Sequence, residues 1–537
     1  MPLAGALAAI VTVVAEGRLG PRTPDTANPT SWLTILASRV PGASARAGWA
    51  ALEAVAALAL CACWLLLVAR ARAGAVSARR TGLVACAWSL PYLVGPPLFS
   101  RDVYAYVAQG RLAGAGLDPS THGVSALRGP GTRTLLASID PRWRETRAPY
   151  GGTAVALEKT VAHLPGIVAP VLALRVIAAL AVTVTVLAAL ELARRLDPTG
   201  REPAPAAVVA LLAANPVTMI FAVGGAHLDA IAAALLLVAV LLGATAPGAA
   251  DAPARGRRAG AVCLATLAAT IKITTVLGLL WLIVAAAWAT VPPSATGGSA
   301  HSPGRFGREA RPDRRRRWRG LAADLAVAAL SALASMAAAG FPPTWLHALA
   351  TSTASGTGIA PASVLATAIG IGGLIVGAHG VADAVTPACR VLALAAGAAA
   401  VVTLLARYRR GRCDGAAVLG YGSFAIALGG PVLYPWYLAA GLPFLAVSSS
   451  RRALRLVAVT SVVLVLTSLS SLTPTWRWLG RHPLLDAAAG AALVAAAALL
   501  ALLALRADRP EPPERPERPE PPAPAEPGPA PQAAGSR

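Results

Sequence analysis

The stretch GLVACAWSLPYLVGPPLFSRDVYAYVAQGRLAGAGLDP, residues 82–119, decides the fold class. Residues 82–99 carry no charge, and Ser100-Arg101-Asp102 then opens a segment dense in ionisable groups. An uncharged run of that length matches the roughly 30 Å hydrocarbon core of a bilayer. A charged segment starting at its end belongs at a membrane surface.

The same kind of run recurs along the chain. Spanning helices are expected near 2–16, 48–69, 82–99, 170–193, 206–223, 228–246, 259–271, 273–290, 320–339, 387–406, 415–430, 435–448, 453–471 and 484–505. The chain is 56% hydrophobic and only 13% charged, too little charge to cover a soluble protein of 537 residues. The expectation is an all-α polytopic membrane protein with about 13–14 transmembrane helices. Residues 2–16 lack a basic n-region and a cleavage site, so they are read as a first span and not a removed signal.

The net charge of +22 raises nucleic acid as a partner, but the placement of the arginines opposes it. They cluster between apolar runs: Arg70, Arg72, Arg79 and Arg80; Arg194, Arg195 and Arg201; Arg255, Arg257 and Arg258; Arg314 to Arg317; Arg407, Arg409, Arg410 and Arg412; Arg451, Arg452 and Arg455. This is the positive-inside pattern, which sets orientation. It puts both termini in the cytoplasm. Lysine is confined to Lys159 and Lys272, which with the alanine excess points to a GC-rich genome of actinobacterial type. Cys61, Cys63, Cys86, Cys263, Cys389 and Cys413 lie in or beside apolar segments and read as packing residues, not disulfides.

Residues 1–505 form the expected membrane module. Within it, 291–319 is a Pro/Gly/Arg-rich disordered cytoplasmic loop, and 506–537 is a disordered Pro/Glu/Arg-rich cytoplasmic tail. The apolar stretch 363–379 is read as re-entrant or interfacial, because a span there would move Arg407 to Arg412 outside. The remaining long loop, 100–169, is expected outside, and loops of that length usually carry function. A solvated cap is the plain alternative.

Asp102 follows the expected span 82–99 almost directly. A carboxylate at the headgroup surface beside apolar walls can act as a general base; a helix-end aspartate with only a solvent role is the alternative. In a helix over 102–113, Asp102, Tyr106 and Gln109 share a face. Arg101 and Arg111 flank them and suit a phosphate through charge-assisted bonds. Tyr104 and Tyr150 lie in the same loop. His227 and Asp229 lie between two runs, where helix capping competes with substrate binding. Lys272 between two apolar stretches must snorkel or meet a polar partner, for which a phosphate is suitable. Pro431 and Pro435 interrupt a late run beside Trp436 and Tyr437, which serve either as interface anchors or as a platform for a sugar or prenyl chain.

With these residues assembled, SRDVYAYVAQGRLAGAGLDP (100–119) resembles the first catalytic loop of actinobacterial polyprenol-phosphate-mannose-dependent α-1,6-mannosyltransferases, of the GT-C glycosyltransferase class. APYGG (148–152), NPVTMIFAVGGAHLDA (215–230), Lys272 and PVLYPWYLAAGLP (431–443) match in order, so the resemblance spans about 82 to 445. It departs at Leu228, where the family tends to have a polar residue, and at Gly152, where it tends to have proline.

The resemblance implies a GT-C-like helical bundle with a long outer catalytic loop at the plasma membrane. It implies inverting transfer of mannose from polyprenyl-phosphate-mannose to a lipid-linked α-1,6-mannan of lipomannan or lipoarabinomannan type. Asp102 would be the base. Arg101, Arg111 and Lys272 would meet the donor phosphate. Tyr104, Tyr106, Gln109, Tyr150, His227, Asp229, Trp436 and Tyr437 would line the substrate site. Some relatives use a divalent ion; Mg or Mn held by Asp102 with His227 or Asp229 is one possibility, and no certain cofactor emerges. The rival readings are transfer of arabinose or glucose from a prenyl phosphate, a lipid or solute transporter, and a non-enzymatic scaffold. A transporter predicts ionisable residues near the midplane and repeated halves, neither of which is evident.

Overall fold

In the computed structural model, the described residues are 1–19, 32, 43–97, 99–197, 203–243, 252–288, 314–352, 360–378, 380–448 and 450–469. Among them the secondary structure is entirely helical, with no strand. The chain is an all-α polytopic membrane protein. Among the described residues, five helices are long and apolar enough to cross a membrane: Pro2–Leu19, Ser44–Arg72, Val168–Leu196, Trp318–Ala339 and Ala384–Arg409; a bent pair, Thr218–Gly224 with Asp229–Gly243, makes up to six. The expected tail 506–537, most of the loop 291–319 and the expected span 484–505 lie outside the described residues.

Backbone chemistry breaks several of the expected spans, and others lie partly or wholly outside the described residues. The run expected as a helix over 82–99 is helical only from Ala78 to Val94. Gly95 then precedes Pro96-Pro97, and proline disfavours helix in the residue before it. Residues 99–101 continue as a non-helical spacer, with Phe99 and Ser100 buried, so Asp102 does not follow the helix directly. The expected span 206–223 divides at Asn215-Pro216 into helix Pro205–Leu212 and a π-helical segment Thr218–Gly224. Asn215 closes the break: its Oδ1 accepts from Val217 N at 2.9 Å, and its Nδ2 donates to Ser461 Oγ at 2.9 Å. After Gly224 the chain turns by 101° into helix Asp229–Gly243. The expected span 435–448 is no membrane-length helix. It is a 3₁₀ segment, Pro435–Ala440, followed by the five-residue helix Leu442–Ala446, with Pro435 and Pro443 at their starts. The stretch expected to be re-entrant or interfacial holds helix Pro361–Ile375, which packs on Val381–Arg409.

Unsatisfied backbone is tolerated at membrane depth only where it is buried in protein or lines a cavity. The breaks obey that rule, since residues 221–230 are all buried.

The loop 100–169 is folded. It contains helices Asp102–Gly114, Thr132–Ser138, Pro141–Arg144 and Gly152–Ala162. Tyr104, Leu112, Leu135, Ile139 and Val161 form one apolar cluster with Leu174, Leu228 and Ile271 from the bundle. Burial of that cluster seats the loop on one end of the helices. Asp118 adds a polar tie, accepting from Thr344 Oγ1 at 2.6 Å and from Ser120 Oγ at 2.7 Å.

Candidate active site

Helix Asp102–Gly114 supplies the first part of the site. Asp102, Tyr106 and Gln109 share its inner face, as the spacing requires, and Tyr104, Tyr106 and Gln109 are buried. The Gln109 Oε1 makes no hydrogen bond. Burial raises the Asp102 carboxyl to about 6. The Ser100 hydroxyl, Lys272 and Arg142 oppose that rise and Asp140 adds to it, so all four stand in the electrostatic neighbourhood of Asp102.

The bent pair supplies the second part. His227 is fully buried, its Nδ1 is 3.2 Å from the Tyr106 hydroxyl, and its ring stacks on Trp436 with centroids 3.6 Å apart. Among the described residues its Nε2 has no hydrogen-bond partner. Tyr150 stands edge-on to Tyr106 at 5.7 Å. Lys272 interrupts the chain between helix Ala252–Ile271 and the 3₁₀ segment Ile273–Thr275. Its Nζ lies 3.5 Å from Asp229 Oδ2, 4.8 Å from the Tyr437 ring centre and 5.3 Å from that of Tyr150. A carboxylate and two aromatic faces therefore receive a cation that would be costly alone in lipid. Asp102, Tyr106, Tyr150, His227, Asp229, Lys272, Trp436 and Tyr437 converge from five separate stretches of sequence.

Two of the expected phosphate-binding residues donate to loop carbonyls. Arg101 precedes the helix, and its Nη1 donates to the Ser138 carbonyl at 2.8 Å, tying the loop together beside Asp102. Arg111 lies nine residues beyond Asp102, roughly 13 Å along the axis at 1.5 Å per residue. It donates to the Gly166 carbonyl and lines a cavity at the other end of the helix.

Three contributors were not singled out from sequence. Tyr434 stacks on Trp436 at 4.6 Å, and its buried hydroxyl makes no hydrogen bond. Arg142 is clamped by Asp140 through bonds of 3.0 and 2.9 Å, and its charge reaches Asp102. Arg175 is fully buried; its Nε donates to the Gly224 carbonyl at 2.8 Å and its Nη1 to the carbonyls of Leu93 and Gly95. A lone arginine inside an apolar span was a legible signal for the last of these.

Arg175 holds two strained approaches to the site. Phe99 and Ala226 are the described non-glycine residues with positive φ, at 64° and 50°. One lies three residues before Asp102 and the other directly before His227. Such conformations cost about 1–3 kcal/mol each and persist where surrounding structure over-determines them. Here the carbonyls of Gly95 and Gly224 are pinned by one guanidinium.

The departure at Gly152 has a packing reason. A Cβ there would lie 2.4 Å from the Ser335 carbonyl oxygen, so helix Gly152–Ala162 can approach helix Arg314–Ala339 only with glycine at that position. Leu228 is fully buried in the cluster beneath the loop.

Among the described residues no three His, Cys, Asp or Glu side chains converge as a metal site. His227 Nδ1 faces Tyr106, and Asp229 faces Lys272.

The fold and site define a polytopic membrane protein with an acid and a cation gathered at one end of its bundle. The α-(1→6)-mannopyranosyltransferase N-terminal domain family matches residues 2–290, and the MptB C-terminal domain family matches 362–507. The chain belongs to the α-(1→6)-mannopyranosyltransferase family and is a mannosyltransferase. It is 27% identical over 456 residues to an α-(1→6)-mannopyranosyltransferase of Mycobacterium tuberculosis, covering 76% of this chain and 71% of that one. It is 28% identical over 413 residues to a probable α-(1→6)-mannopyranosyltransferase of Mycolicibacterium smegmatis, covering 70% and 66%. With α-(1→6)-mannopyranosyltransferase A of Mycobacterium tuberculosis it shares 30% over 222 residues, 41% and 39% of the two chains. No solved structure matches the chain.

Proposed function

We propose that this chain transfers mannose from polyprenyl-phosphate-mannose to a hydroxyl of a lipid-linked α-1,6-mannan, with inversion, at the outer face of the plasma membrane in a GT-C-like bundle. The observation that carries the reading is the gathering of Asp102, Lys272 and an aromatic wall at one end of the bundle. Asp102 accepts the proton of the acceptor hydroxyl as its oxygen attacks the anomeric carbon. The bond from that carbon to the phosphate oxygen breaks, and the phosphate leaves with the electron pair. Lys272, with Arg101 nearby in the loop, neutralises the charge that develops. One base suffices because a phosphate needs charge stabilisation more than it needs a proton.

His227 and Trp436, stacked on each other, and Tyr437, against Lys272, form an aromatic wall for a sugar or prenyl chain, and Tyr104, Tyr106, Gln109 and Tyr150 complete it. The arginine clusters support the outer side. Arg70 and Arg72 end one helix, Arg194 and Arg195 end another, and Arg255, Arg257 and Arg258 begin a third, each at the opposite helix end from the site-forming loops.

The test is transfer from radiolabelled polyprenyl-phosphate-mannose in membranes carrying the chain. Label is expected in an extended mannan. Absence of that transfer, with turnover of a prenyl-linked arabinose or glucose instead, overturns the mannose donor.

A further inference from the structure

The loop contains a cavity of about 700 Å³ at the far end of helix Asp102–Gly114 from Asp102. Arg111 and Arg128 stand in its wall, and no aspartate or glutamate lines it. Arg111 uses a donor on the Gly166 carbonyl. Arg128 uses its Nη1 on the carbonyls of Ser125 and Leu127, at 2.6 and 2.9 Å. A guanidinium has five N–H groups in a fork that matches phosphate, so both arginines keep donors for a ligand. Neither forms an ion pair among the described residues. Thr132 and Thr134 add hydroxyls, and Leu127, Leu164, Pro165 and Ile167 form an apolar wall.

The depth of the cavity restricts its occupant. Ile167 directly precedes the membrane-length helix Val168–Leu196, so this wall stands where the chain enters the bilayer. Lipid phosphates lie at that level, above the first acyl carbons. Paired cations without a counter-ion, beside leucine and isoleucine, complement both parts of such a molecule. We propose that this cavity binds the phosphate headgroup of an anionic membrane lipid, held between Arg111 and Arg128, at a site separate from the one that contains Asp102. The apolar wall takes the carbons adjoining the headgroup. Arg111, expected from sequence at the donor phosphate, acts here instead.

The test is native mass spectrometry of the full chain released from detergent micelles, titrated with phosphatidylglycerol or phosphatidylcholine. Wild type is expected to retain one phosphatidylglycerol more tightly than phosphatidylcholine. The double substitution Arg111→Gln/Arg128→Gln should weaken retention by about tenfold or more for each arginine, because hydrogen bonds to charged groups have that magnitude. Arg111→Lys/Arg128→Lys should keep most of it, which separates lost charge from lost folding. Equal retention by wild type and the glutamine variant overturns the proposal. So does equal retention of the two lipids. Displacement of the lipid by millimolar inorganic phosphate also overturns it, by showing a site for the free ion.

Discussion

Burial sets the titration of Asp102, and titration sets when it can act. The carboxyl is raised to about 6, and a base works only when deprotonated. Its active form is therefore gained as pH rises through 6. We expect kcat/KM to be level above pH 7 and to fall about tenfold by pH 5, as a single ionisation requires. A rate independent of pH between 5 and 7 contradicts the role. Asp102→Asn keeps the shape and removes the proposed base. Turnover should drop about 10²- to 10⁴-fold, the usual contribution of such a group. Near wild-type turnover in the same membrane assay removes Asp102 from the mechanism.

Lys272 and Asp229 test a different property. Both are largely buried, at 12% and 5% side-chain exposure, and they face each other at 3.5 Å. Removing one partner leaves a buried charge, a loss of about 3–5 kcal/mol in comparable pairs. Lys272→Met should lower the thermal midpoint markedly. Lys272→Met with Asp229→Leu should recover much of the stability while activity stays lost. A single substitution that leaves the midpoint unchanged shows that the pair is not coupled.

At the scale of elements, the loop depends on one close crossing. Helix Asp102–Gly114 lies against helix Gly152–Ala162 at Gly110, where a Cβ would sit 2.1 Å from the Glu158 carbonyl oxygen. The obstacle is backbone and cannot rotate aside. Gly110→Ala should therefore destabilise the chain by about 1–3 kcal/mol, in the range of overpacked cores. Gly114, in the same helix, has nothing within 4 Å of its would-be Cβ. Gly114→Ala should be neutral or stabilising by up to about 1 kcal/mol from helix propensity. Thermal unfolding followed by tryptophan fluorescence compares the two, and equal midpoints refute the crossing. Glu158 shares this contact as a buried carboxyl, which burial raises well above the ordinary carboxylate range.

At the scale of the whole molecule, the question is which face of the membrane holds the site. Thr121 is exposed in the loop, and Arg194 is exposed at the end of helix Val168–Leu196. In a background with the native cysteines replaced, Thr121→Cys should react with a membrane-impermeant maleimide in intact cells. Arg194→Cys should react only after permeabilisation. The reverse pattern puts the site inside.

Charge frequency and the length of the apolar runs were enough to specify a helical membrane protein, because a bilayer imposes a fixed thickness and demands internal hydrogen bonding. The 3.6-residue period put Asp102, Tyr106 and Gln109 on one face, since that relation is local. The motif resemblance was enough to indicate the family. Span boundaries were harder to read. Hydropathy registers the apolar character of 206–223 and 435–448, but not what Pro216, Pro435 and Pro443 do to their backbones. The partners were out of reach for another reason. Tyr106 meets His227 across 121 residues of sequence, and Lys272 meets Asp229 and Tyr437 from separate elements. Arg111 looked equivalent to Arg101 along the chain, yet the helix carries it to a cavity at its other end. Only tertiary packing decides such pairings, because the energy of a buried charge depends on which distant side chain comes within a few ångströms of it.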